Sequence, residues 1–187
     1  MEQEEIQKTL EILREGGMVV YPTDTIWGLG CDATNPEAVA KIYDVKERDS
    51  SKSLILLVSG DAMLQRYVKV VPEVCWDLID MADKPLTIVY PEGNNLAPKT
   101  MADDGSIGIR MVKEGFVNKL VHKLGRPLVS TSANISGEPS PTSFDEISDE
   151  LKSRVDYVVN LRLPEKEAQP SSIIKVGPNG EIKIIRE

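Results

Sequence analysis

The chain has 187 residues, 41% hydrophobic and 28% charged, a composition that sets disorder aside and suits one compact α/β domain with its own core. Asp and Glu number 30 against 22 Lys and Arg, and the net charge of −8 excludes whole-surface attraction to nucleic acid or anionic membrane, so any anion binding is local. The two cysteines, Cys31 and Cys75, have no CxxC spacing, the N-terminus lacks an apolar leader core, and no run approaches the ~20 apolar residues of a membrane span; a reducing cytoplasm is the expected setting.

Ile6, Leu10 and Leu13 recur at helical spacing before Gly16-Gly17, which predicts a helix over 3–15. MVVY (18–21) reads as a short buried strand ended by Pro22. NPEAVAKIYDVKER (35–48) opens with Asn35 as N-cap and Pro36 at the first helical position. SLILLV (53–58) is a continuous apolar run, as expected of a strand covered on both faces. Short helices are expected near 61–66 and 73–81, then strands at LTIVY (86–90) and SIGIRM (106–111), separated by a polar loop. Phe116, Leu120, Val121 and Leu124 mark a helix over 114–124 that stops at Gly125, followed by the strand PLVS (127–130). SFDEISDELKSR reads as one helix capped by Ser143, with acids in its first turn. VDYVVN, SSIIKV and EIKIIR close the chain as strands, and Asn179-Gly180 marks a hairpin between the last two. Interleaved helices and strands plus that hairpin predict a twisted, open, mixed parallel/antiparallel sheet flanked by helices, in one domain over 1–187.

Four segments carry residues suited to one site. In YPTDTIWGLGCDA, Thr23, Asp24 and Thr25 stand where the chain must turn, and Gly28 and Gly30 permit close backbone approach. Lys46, Arg48 and Lys52 fall within seven residues at an element boundary. A helix dipole accounts for Lys46 but poorly for Lys52, whereas a polyphosphate would satisfy all three cations. STSANISGEPSPT (130–142) offers hydroxyls, an amide and backbone N–H groups that suit a phosphate cradle, although a Ser/Asn-rich surface turn has the same composition. Arg110 ends an apolar strand and needs a partner anion that its close sequence neighbours do not supply; Ser171, Ser172 and Arg186 lie near the C-terminus. The single histidine, His122, and the absence of a GxSxG elbow, a histidine pair or a Walker A motif disfavour covalent or acid–base chemistry on His or Cys. Alignment of substrates and neutralisation of their charge remain.

PTDT…GLG, KxRxxxK, GIR and STSANISGEPS, in this order, resemble the YrdC-like family of threonylcarbamoyl-AMP synthases from about residue 10 to the C-terminus. The resemblance implies a YrdC/RibB-like fold with a concave, positively lined site. It implies the reaction of L-threonine, bicarbonate and ATP to threonylcarbamoyl-AMP and pyrophosphate, with ATP bringing Mg²⁺ and no protein metal site. By similarity Lys46, Arg48 and Lys52 neutralise the reacting anions; Arg48, Lys52, Ser106, Ser132, Asn134, Ser140 and Arg186 face ATP. Thr23, Thr25, Arg110, Ser130 and Ser171 face threonine. Partner proteins would then move the threonylcarbamoyl group to tRNA, and contact with tRNA or double-stranded RNA belongs to the same family picture. Trp27 stands where members usually have Tyr, Asp49 where Pro follows the arginine, and Val112 where Pro follows the GIR strand. The chain resembles the short bacterial form; a paralogue that binds nucleotide or double-stranded RNA with little catalysis is the alternative.

Overall fold

The computed structural model describes residues 1–49, 54–161 and 170–187. Its strands form one mixed sheet ordered β7-β1-β2-β6-β3-β5-β4-β8-β9. In chain order these are β1 Val19–Tyr21, β2 Gly28–Gly30, β3 Ile55–Val58, β4 Leu86–Tyr90, β5 Ile107–Met111, β6 Leu128–Ser132, β7 Tyr157–Val158, β8 Ser172–Val176 and β9 Ile182–Arg186. Among the described residues three parallel pairs (β1–β7, β3–β5, β4–β8) stand among five antiparallel ones, which bears out the mixed sheet expected from interleaved elements and a terminal hairpin. The hairpin between β8 and β9 turns at Gly177–Gly180, where the Gly180 N–H donates to Gly177 O and Gly180 takes φ 88°.

The flanking helices are α1 Glu2–Arg14, α2 Pro36–Lys46, α3 Asp61–Tyr67, α4 Val74–Met81, α5 Gly115–Leu124 and α6 Asp149–Ser153. Ile6, Leu10 and Leu13 bury one face of α1, which packs against α5 through Phe116, Leu120 and Val121 among its buried residues. The Asn35 side chain accepts from Glu37 N and Ala38 N and so starts α2 as its sequence requires. That helix ends two residues earlier than the pattern predicts. Glu47 turns left-handed at φ 51°, Arg48 N closes back on Tyr43 O, and Arg48 therefore sits in the turn beyond the helix.

Two expectations need correction. The predicted helix over 143–154 is a 3-10 turn at Phe144–Glu146 followed by α6, because the buried Ile147 is extended (φ −72°, ψ 120°). Ser148, not Ser143, supplies the cap: its hydroxyl accepts from Leu151 N. The strand expected at 155–160 shortens to Tyr157–Val158, and the start of the 53–58 strand, Ser53, lies outside the described residues.

The unpredicted strand β2 shapes the site. Its sequence, Gly-Leu-Gly, has low strand propensity, but a side chain has no room there. A Cβ at Gly30 would lie 2.0 Å from Val129 O and 2.9 Å from the Tyr21 ring. The missing side chain lets the buried Tyr21 phenol cross β2 and donate to Val129 O at 3.0 Å. Gly30→Ala is expected to cost about 2 kcal/mol through overpacking against backbone, read as a lower urea midpoint; an unchanged midpoint would show that β2 and β6 can separate freely.

Candidate active site

The central strands carry polar side chains on one face. Ser130 on β6 stands opposite Ile55 on β3, Ser132 opposite Gly28 on β2, and Arg110 on β5 opposite both Leu57 and Thr87. A two-residue period along β6 directs Ser130 and Ser132 to the same side. Together with Thr25, Ser140, Ser171 and Arg186 these residues line a cleft of about 210 Å³. Seven residues singled out from three of the four sequence groups therefore share one hollow, and the described members of the cationic group, Lys46 and Arg48, do not line it. Gly28, expected to permit close backbone approach, also lines it, while Ile26, Ile55, Thr131 and Pro170 were not anticipated as site residues. Only the strand pairing shows that they face the same space.

The loop after β1 is held by its own threonines. Thr23 Oγ1 accepts from Thr25 N at 2.9 Å and donates to Ile26 O at 2.7 Å, so Thr23 braces the turn from behind while Thr25 reaches the cleft. Across the cleft the Arg110 side chain is only 5% exposed, and its Nη1 donates to Asp24 Oδ1 at 2.8 Å. This is the anion that the sequence neighbourhood of Arg110 lacks. It comes from 86 residues away.

At the cleft's C-terminal edge the buried Ser171 hydroxyl shares a 2.8 Å hydrogen bond with Thr87 Oγ1. Arg186 donates twice to Ser171 O, from Nε at 3.1 Å and from Nη2 at 2.6 Å. The terminal hairpin thus delivers a guanidinium to a site otherwise built from central strands and from the loops that carry Thr25, Ser140 and Ser171.

Lys46 has a different surrounding. Its ammonium is buried and donates to Ser132 O and Asn134 O, both at 2.6 Å, and to Asn134 Oδ1 at 3.3 Å. Lys46 O in turn accepts from Ser136 N. The Asn134 amide donates to Ile135 O and Glu138 O. Lys46 and Asn134 therefore fasten the 132–138 loop to the end of α2, beneath the cleft rather than among its lining residues. Burial and the nearby Arg48 push the Lys46 ammonium down to about 8, against the opposing pull of Glu138.

Arg48 is partly buried in the turn after α2, and Lys52 lies outside the described residues. Ser106 is buried at the entrance to β5, where its hydroxyl and its N–H both donate to Asp104 Oδ1. Those bonds, with Lys175, hold the Asp104 carboxyl down at about 2. Ser106 is thus engaged in its own loop and is not among the residues lining the cleft. Trp27 is buried with its ring edge-on to Phe144 at 5.3 Å, and its O accepts from Ala133 N, so this departure from the family pattern packs under the 130–134 segment. Among the described residues no three His, Cys, Asp or Glu side chains group to hold a metal ion, and no helix is long and apolar enough to cross a membrane. Both cysteines are free and buried, and burial pushes the Cys75 thiol up to about 11.

The Sua5/YciO/YrdC family profile, described as telomere recombination, matches residues 11–187. A threonylcarbamoyl-AMP synthase of Pseudoalteromonas translucida is 31% identical over 184 residues, covering 97% of both chains. The structure of P. abyssi Sua5 complexed with L-threonine superposes with a TM-score of 0.80 at 27% identity, over 94% of this chain and 52% of that one. The chain thus spans about half the length of that Sua5. E. coli YciO shares the fold with a TM-score of 0.84 at 24% identity, over 100% of this chain and 90% of its own. A profile match over nearly the whole chain and a synthase relative aligned from end to end place this chain in the Sua5/YciO/YrdC family.

Proposed function

We propose that the chain is an L-threonylcarbamoyladenylate synthase, a nucleotidyltransferase that makes threonylcarbamoyl-AMP and pyrophosphate from L-threonine, bicarbonate and ATP. The observation that carries this reading is the shared cleft, where Arg110 and Arg186 stand among Thr25, Ser130, Ser132 and Ser171. Threonine's amine and bicarbonate condense to a carbamate with loss of water. A carbamate oxygen then attacks the α-phosphorus of ATP, a P–O bond forms, and the bond to pyrophosphate breaks. Both reactants are anions, so the barrier the protein can lower is their mutual repulsion and their misalignment.

Arg110 suits the threonine carboxylate, since a guanidinium matches a carboxylate in two parallel hydrogen bonds. Thr25, Ser130 and Ser171 offer hydroxyls to the rest of the amino acid. Ser132, Ser140 and Arg186 face the nucleotide, with Arg48 and Lys52 as further cations for its phosphates, while Ser106 is the weakest member of that set. Lys46 and Asn134 act by holding the 132–138 loop that presents Ser132. Magnesium arrives on the phosphates of ATP as part of the substrate.

The described elements share one sheet and one core, which supports reading residues 1–187 as a single domain. We place the product upstream of partner proteins that transfer the threonylcarbamoyl group to tRNA, in the cytoplasm. Of the relatives named above, none carries the alternative of a nucleotide- or RNA-binding paralogue.

Pyrophosphate release from ATP is expected to require both L-threonine and bicarbonate, with threonylcarbamoyl-AMP appearing in the mass spectrum. L-serine in place of threonine is the control. Release that proceeds equally without threonine would refute the assignment.

A further inference from the structure

Arg110 and Asp24 form the wall between two hollows. Arg110 lines the cleft. Asp24 lines a neighbouring hollow of about 370 Å³ together with the cations Lys84 and Lys113 and the carboxylates Asp83 and Glu114, and Lys113 Nζ donates to Ile79 O. The two side chains join at 2.8 Å across that wall, and their exposures are unequal, 5% for Arg110 and 44% for Asp24. Among the described residues Asp24 is the one carboxylate within ion-pair reach of Arg110.

The loop that carries Asp24 is fixed on both sides. Thr23 Oγ1 bonds Thr25 N and Ile26 O, so the backbone holds its shape while the half-exposed Asp24 side chain can change rotamer. A rotation away from Arg110 would turn the carboxylate to the second hollow, whose lining carries Lys84 and Lys113 beside Asp83 and Glu114. The buried guanidinium would then need another anion.

We infer that Asp24 is a carboxylate placeholder: it pairs with Arg110 and is displaced by the carboxylate of the incoming amino acid. The inference rests on the proposed assignment of Arg110 to the amino-acid carboxylate and adds to it a residue that sets affinity. Exchange of one carboxylate for another keeps Arg110 paired throughout. It also makes the site select for ligands able to compete: an amine or alcohol of similar shape leaves Asp24 in place. The amino-acid affinity is thereby weakened by the strength of the pair that must open.

Titration calorimetry with L-threonine tests this on the full chain. Asp24→Asn keeps the side-chain volume and removes the competing charge. Because the Asp24 side of the pair is half-exposed, its removal is expected to tighten L-threonine binding on the order of fivefold. Lys84→Met, which removes one of the cations lining the second hollow, is expected to weaken threonine binding in the wild-type background and to have no effect in Asp24→Asn. Unchanged or weaker binding by Asp24→Asn, with wild type binding normally, overturns the placeholder and leaves the synthase assignment standing. Absence of threonine binding by both proteins overturns the amino-acid assignment of Arg110 itself.

Discussion

Arg110→Ala is expected to lower threonine-dependent pyrophosphate release by roughly 30-fold to several thousand-fold, the range spanned by ~2–5 kcal/mol for truncating one member of a buried, hydrogen-bonded charge pair. Burial sets the size of the effect. The Arg110 side chain lies within the central sheet at 5% exposure, where no solvent cation can replace it. A threonine carboxylate entering the cleft would then lack the buried guanidinium that suits it, while Arg186 stays bonded to Ser171 O. The loss should fall on the KM for threonine and on kcat/KM, with the KM for ATP little changed, because Ser132, Ser140 and Arg186 remain. Arg110→Lys retains charge without the planar fork and is expected to recover part of the rate. A rise in the KM for ATP as large as that for threonine would reassign Arg110 to the nucleotide. Full activity in Arg110→Ala would remove it from the site.

Lys46→Met is expected to destabilise the protein by about 2–4 kcal/mol at neutral pH, since it leaves the Ser132, Asn134 and Asn134 side-chain oxygens without their buried donor. Urea denaturation reads the loss directly. The same residue gives a pH signature. Its ammonium is held down at about 8 in the fold against 10.5 ordinarily, so between those values the unfolded chain binds a proton that the folded chain has released. Below about 8 both states are charged, and the contribution is constant. Above it, Lys46 makes stability rise with pH, by up to roughly 3 kcal/mol across the window. Buried tyrosines such as Tyr21 and Tyr90 are pushed upward and act in the opposite direction, so the informative quantity is the difference between wild type and Lys46→Met. That difference should widen from pH 8 to 10.5. Parallel pH profiles would mean that Lys46 titrates alike in both states.

These two residues also show why proximity in sequence is a poor guide to a common role. Lys46 and Arg48 form a cationic cluster on paper, but the left-handed turn at Glu47 sends Lys46 inward to three oxygens and leaves Arg48 beyond the helix end. Arg110 has no anion near it in the chain, and its partner arrives from the loop after the first strand.

What the order of residues settled by itself is local: apolar periodicity marked α1, α2 and α5, continuous apolar runs marked β3, β4 and β5, and Asn35, Gly125 and Asn179-Gly180 fixed starts, stops and a turn, each through forces acting within a few residues. The hydroxyl-rich and cationic segments were legible in the same way, and so was the family they resemble. What only the tertiary structure decided was which of them meet. Gly28–Gly30 became a strand because Tyr21 and β6 leave no room for anything larger. The predicted helix over 143–154 broke because burial of Ile147 outweighed helical continuity. The cleft exists because pairing across β2, β6, β3 and β5 turns Ser130, Ser132 and Arg110 to one face, a register set by partners dozens of residues distant and therefore absent from any local pattern.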